Sequence, residues 1–190
     1  MLGNFPQTPH AKKLAALFQP VLRLQRMTEL KRLTTRYLDI EDRVQLAGEL
    51  VGGATVVLWL TWRLMQRLLP VLLQSLEREG VDASYAGILH GFAQQTARAG
   101  LEAALPVSAG QGSQTWLVVS VDISKTAETV RLIFKGPEYQ QALLVLTPKP
   151  LRQWLGIVHE AYRRAGWPLA VWPDWVLDTA GPGTLPVMLH

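Results

Sequence analysis

Four histidines, His10, His90, His159 and His190, are the side chains best suited to proton transfer or metal ligation near neutral pH. None has a second histidine or a carboxylate one helical turn away, as a metal held from one helix face requires. His159-Glu160 opens like a zinc-protease helix, but Arg163 stands where the second histidine belongs. His159 then reads as a helix-surface residue near Tyr162. The stretch SAGQGSQ holds Ser108, Gly110, Gly112 and Ser113 without a glycine elbow or an adjacent base, so it reads as a linker. Asp39, Glu41 and Asp42 cluster as they would at a solvated turn between strands. Cysteine is absent, which removes thiolate catalysis and Cys-based metal sites. These residue types indicate no reaction, so no catalytic residue, metal or cofactor is expected.

Two segments have the chemistry of binding instead. Between residues 1 and 36, Lys12, Lys13, Arg23, Arg26, Lys31, Arg32 and Arg36 face one acid, Glu29. The whole chain carries +4, so its remainder is slightly acidic and the basic character belongs to this arm. Leu14, Leu17, Phe18, Val21 and Leu22 add an apolar stripe at helical spacing, which suits a groove on a partner protein. The cations alone suit a phosphate backbone. At the other end Trp167, Trp172 and Trp175 fall close together, spaced by Pro168 and Pro173. Such rings serve as anchors in protein interfaces. The partner-binding set is therefore Leu14, Phe18, Trp167, Trp172 and Trp175. The alternative nucleic-acid set is the seven cations.

The elements that must position these residues follow from periodicity. With 48% hydrophobic and 18% charged residues in 190, the chain can pack an interior. Three short antiparallel strands are expected between residue 30 and Leu60, with a turn at Gly52-Gly53. A helix over Trp62–Glu79 carries Leu64, Leu68, Leu72 and Leu76 at i+4 spacing and is interrupted by Pro70. A second helical segment over 81–105, capped by Ser84, shows an apolar face of Tyr85, Ile88, Leu89 and Phe92. Its alanines and glycines suit close helix packing.

After the linker 106–114 the pattern returns. TWLVVSVDIS, ETVRLIFKG and YQQALLVLT read as strands, and a helix follows Thr147. Asp39-Ile40 matches Asp122-Ile123, Arg43–Leu46 matches Arg131–Phe134, and Thr61 matches Thr147. The expected fold is α+β: two related β-β-β-α units, antiparallel sheets each followed by a helix, joined by a helical segment. The units span 30–105 (with the connecting helix) and 115–166, between a basic helical arm (1–29) and an extended Trp/Pro-rich tail (167–190). Trp62 and Trp154 would sit at the rim of the core, with cation–π pairs to arginines on the same helices. No run reaches the ~20 apolar residues of a membrane helix, and the N-terminus lacks a signal-peptide core. A cytoplasmic protein is expected, and the preference for Arg over Lys suggests a GC-rich bacterial genome. The function expected is a non-enzymatic protein-interaction or assembly module, docking partners or copies of itself through its arms. The alternative is a nucleic-acid-binding accessory protein.

Overall fold

The computed structural model describes residues 28–76 and 83–177. Strands β1 (Thr28–Leu38), β2 (Arg43–Leu50) and β3 (Thr55–Thr61) precede helices α1 (Trp62–Gln74) and α2 (Ala83–Ala99). Strands β4 (Gln114–Leu117), β5 (Ser120–Lys125), β6 (Val130–Lys135) and β7 (Gln141–Leu146) follow. Helix α3 (Pro148–Ala165) and the single turn α4 (Asp174–Leu177) complete the mixed α+β fold. The strands are rich in Val, Leu, Ile and Thr, whose side chains pack well on a pleated surface. Gly52 and Gly53 take φ of 114° and 86° in the β2–β3 turn, backbone that other L-residues adopt only under strain.

Helices α1 and α3 each start at a threonine, Thr61 as the last residue of β3 and Thr147 just after β7. The Thr61 hydroxyl accepts from the Leu64 N–H, and proline fills the first turn of α3 after Thr147. Gly166, at φ 63°, closes α3 in the left-handed conformation.

All seven strands form one curled sheet in the order β4-β3-β2-β1-β7-β6-β5. The first three strands form an antiparallel meander, and β5, β6 and β7 form another. Two parallel seams join the meanders: Thr28 and Glu29 of β1 pair with Ala142 and Leu143 of β7, and β3 pairs with β4. Only Val118 and Val119 separate β4 at one edge from β5 at the other, so the chain itself links the two edges. The expectation of two separate sheets burying their faces against each other is thus corrected. The halves share one sheet, and each contributes a strand to the other's seam.

The registers of the halves agree with a constant spacing in sequence. Val44 faces Leu60 and Leu46 faces Leu58, as Val130 faces Leu146 and Leu132 faces Leu144. The seams match as well: Thr28 to Ala142, and Gln114 to Val56. The matching sets on the helices are Met65, Leu68, Leu69, Leu72 and Leu76 in and after α1, and Leu151, Trp154, Leu155, Val158 and Tyr162 in α3. All are buried in one core. At that spacing Val44 falls with Val130, two residues earlier than the arginine-based match puts it. Asp39-Ile40 lies in a turn while Asp122-Ile123 lies inside β5, so that pair does not correspond.

Other expectations change in detail. The helix after β3 ends at Gln74, with Ser75 as its C-cap, and keeps Pro70 inside it. TWLVVSVDIS is two strands, bent at Val118-Val119 so that each half meets a different neighbour. The linker 106–114 is pinned where the Val107 N–H donates to the Thr34 hydroxyl at 2.8 Å. Trp154 is a core residue and not a rim residue, donating its indole N–H to the Thr35 hydroxyl at 3.0 Å. Ser84 falls within the first turn of α2 and does not precede it.

Candidate functional site

Helix α2 is packed the opposite way round from an ordinary surface helix. The residues it buries are His90, Gln94 and Ala97, while Tyr85, Ile88, Leu89 and Phe92 on the other side are 56% to 67% exposed. A surface helix normally turns its apolar stripe inward, so buried polar side chains beneath an exposed apolar stripe are the informative arrangement.

Hydrogen bonds to α3 explain why the polar face can go inward. The Gln94 Nε2 donates to the Arg152 carbonyl at 3.0 Å, and the Gln153 Nε2 donates to the Ala97 and Gly100 carbonyls at 2.9 and 3.1 Å. The buried Arg152 guanidinium lies 2.7 Å from His90 Nδ1 and also donates to the His90 carbonyl at 3.4 Å. Trp175 of α4 completes the arrangement. Its ring stacks on His90 with centroids 5.2 Å apart, and the Arg152 guanidinium lies 5.1 Å from its centre. These hydrogen bonds make the geometry of the inner face specific and hold α2 to α3, with only the Gln94 Oε1 lacking a donor among the described residues of that face.

The outer stripe forms a ridge between two depressions. On one side a cavity of about 590 Å³ is lined by Ala86, Leu89 and Ala93, by the β5–β6 hairpin tip and by the start of α3. On the other, Gly87, Ile88, Gly91 and Phe92 face Pro173, Asp174 and Trp175 across a second depression of about 520 Å³. Nothing smaller than glycine is possible at 87 and 91, so another backbone can approach the helix closely there.

The tryptophans named from sequence are committed to this chain's own body. Trp167 and Trp172 are buried, both packing edge-on to Tyr162, and the Trp167 indole donates to Asp42 at 3.0 Å. Trp175 is half-buried in the His90–Arg152 stack. Residues 167–177 are therefore folded onto the core and not extended. The cation–π pair uses this tail ring, not Trp62 or Trp154. His159, expected on the surface, is buried edge-on to Trp172 at 5.1 Å, and that desolvation lowers its pKa below the usual histidine value.

Leu14, Phe18, Lys12, Lys13, Arg23 and Arg26 lie outside the described residues. Lys31, Arg32 and Arg36 lie in β1, within the strand region expected from residue 30. Arg32 pairs with Glu49 at 2.9 Å, and the Arg36 Nε donates to Gln45 at 2.8 Å. Arg163 and Arg164 both turn to Glu160, at 3.4 and 3.5 Å. Among the described residues no group of three or more histidines or carboxylates is placed to hold a metal ion, and no helix is long and apolar enough to cross a membrane.

Comparison with protein-family models, with curated proteins and with solved structures found no match for this chain.

Proposed function

We propose that this chain is a non-enzymatic protein-interaction and assembly module, that its docking element is α2, and that the occupant is a second copy of the chain. The inverted packing of α2 carries this reading. A stripe of four large apolar side chains, exposed on a helix whose polar side is hydrogen-bonded into the body, favours burial against a partner. Between Ala83 and Ala97 the helix has no charged residue. An acidic or basic partner would lose hydration here without gaining an ion pair, whereas an identical uncharged stripe meets it without repulsion. The ridge with its glycine-lined side suits a two-fold contact in which each copy presents the same patch.

This places the contact on the helix that joins the halves and leaves the terminal arms as secondary elements. The constant register spacing supports the further proposal that the two β-β-β-α halves are duplicated copies. On that view the single turn α4, which lies 86 residues after Ile88–Gly91, is the counterpart of the middle of α2. The pairing of Arg32, Arg163 and Arg164 with glutamates favours protein interaction over a phosphate-gripping surface.

Sedimentation equilibrium of the full chain and of an Ile88→Glu, Phe92→Glu double variant tests the proposal. The wild type should associate in a concentration-dependent manner and the variant should remain monomeric with an unchanged circular dichroism spectrum.

A further inference from the structure

A second surface lies on the other side of the α2–α3 pair. Strand β1 pairs with β2 along its length, but with β7 only through Thr28 and Glu29. Beyond them, among the described residues, no strand adjoins β1 on the side away from β2. A groove of about 280 Å³ opens beside that side, walled by Thr35, Arg36 and Tyr37 of β1, by α3 from Gln153 to Arg164 and by Gln94, Arg98 and Leu101. Successive side chains of a strand point to opposite faces of its sheet. A groove touched by three consecutive strand residues therefore runs along the strand's edge, where every second residue points its N–H and C=O away from β2 and, beyond Glu29, no described strand pairs with them.

The charge of the groove is one-sided. Arg36, Arg98 and Arg164 line it against a single acid, Glu160, which is also shared with Arg163. Its wall holds an acceptor as well. Gln94 is 1% exposed, gives its Nε2 to the Arg152 carbonyl and leaves its Oε1 with no donor among the described residues. Gly156 and Ala161 keep the α3 wall low.

We infer that this groove receives an extended acidic peptide of a partner protein, added as a strand to the open edge of β1. The main chain of the peptide supplies the ladder hydrogen bonds. Its carboxylates meet the three arginines, and its apolar residues lie over Gly156, Ile157 and Ala161. This is a heterologous contact, separate from the self-association of α2.

Fluorescence anisotropy of labelled, end-capped hexapeptides with the full chain tests it. A peptide alternating valine and glutamate should bind and weaken as salt rises. A peptide alternating valine and lysine should not bind. Methylating every second backbone nitrogen of the acidic peptide, which removes its ladder donors, should weaken binding roughly tenfold or more. Arg98→Glu and Arg164→Glu alter exposed side chains, and each should weaken it by a similar factor in a protein with unchanged circular dichroism. Equal binding of the acidic and basic peptides would overturn the inference. So would full affinity of the methylated peptide, no binding of the acidic one, or binding that appears only after residues 178–190 are removed. The last result would make the chain's own tail the occupant.

Discussion

Asp42 closes the β1–β2 turn at a left-handed φ of 46° and receives two donors, the Tyr37 hydroxyl at 2.7 Å and the Trp167 indole at 3.0 Å. One carboxylate thus ties the first hairpin to the segment after α3. The hydrogen bond to Asp42 is the main reason the Tyr37 pKa rises to about 12, with burial and the Asp42 charge adding to it. The native state keeps this proton to higher pH than the unfolded chain does, so the associated stability is complete below pH 10 and disappears as pH climbs toward 12. Asp42→Asn preserves the turn preference and removes the charge. Ultraviolet titration of the variant should move Tyr37 back toward 10.

His159 behaves in the opposite sense. Its folded pKa is lowered by burial, so below about pH 6.5 the unfolded chain takes up a proton that the native chain refuses. Urea midpoints should fall between pH 7 and pH 5, and His159→Gln should flatten that dependence. An unchanged slope would mean that His159 is not the group responsible.

At the scale of elements, the strand–threonine–helix junctions at Thr61 and Thr147 were legible in the sequence because cap chemistry and periodicity are local. The register between halves was less so. Arginines at 43 and 131 make an attractive match in sequence, but strand register depends on burial and pairing, and the registers instead share the spacing of Val44 and Val130. Val118-Val119 reads as strand interior because a bend between two valines leaves no glycine or proline in the sequence. The apolar face of α2 was visible as Tyr85, Ile88, Leu89 and Phe92. Its orientation was not, since inward packing of His90 and Gln94 depends on Arg152 and Trp175, which are distant in the chain. Burial of the helix stripes is the structural counterpart of the junctions. Truncating Leu69 or Leu155 to alanine should each cost about 2–5 kcal/mol in urea unfolding, by lost transfer energy and by the cavity left behind. A loss far below that range in one helix would show that its half can repack.

For the whole molecule, the parallel seams decide how the halves depend on one another. β1 needs β7 and β3 needs β4, so neither meander completes its sheet alone. Residues 28–105 expressed separately should give the narrow amide dispersion of an unfolded chain, and mixing them with residues 106–177 should restore a dispersed spectrum. A folded isolated half would mean that the seams are secondary to each meander's own core. Helix α2 stands beside the shared sheet as a ridge tied to α3 by its buried polar side chains. Self-association through that ridge is what most needs testing, and sedimentation equilibrium reads it most directly. Wild-type chain should fit a monomer–dimer equilibrium that Ile88→Glu with Phe92→Glu shifts to monomer at all concentrations. A wild type that stays monomeric to high concentration, or a double variant that associates as the wild type does, would contradict it.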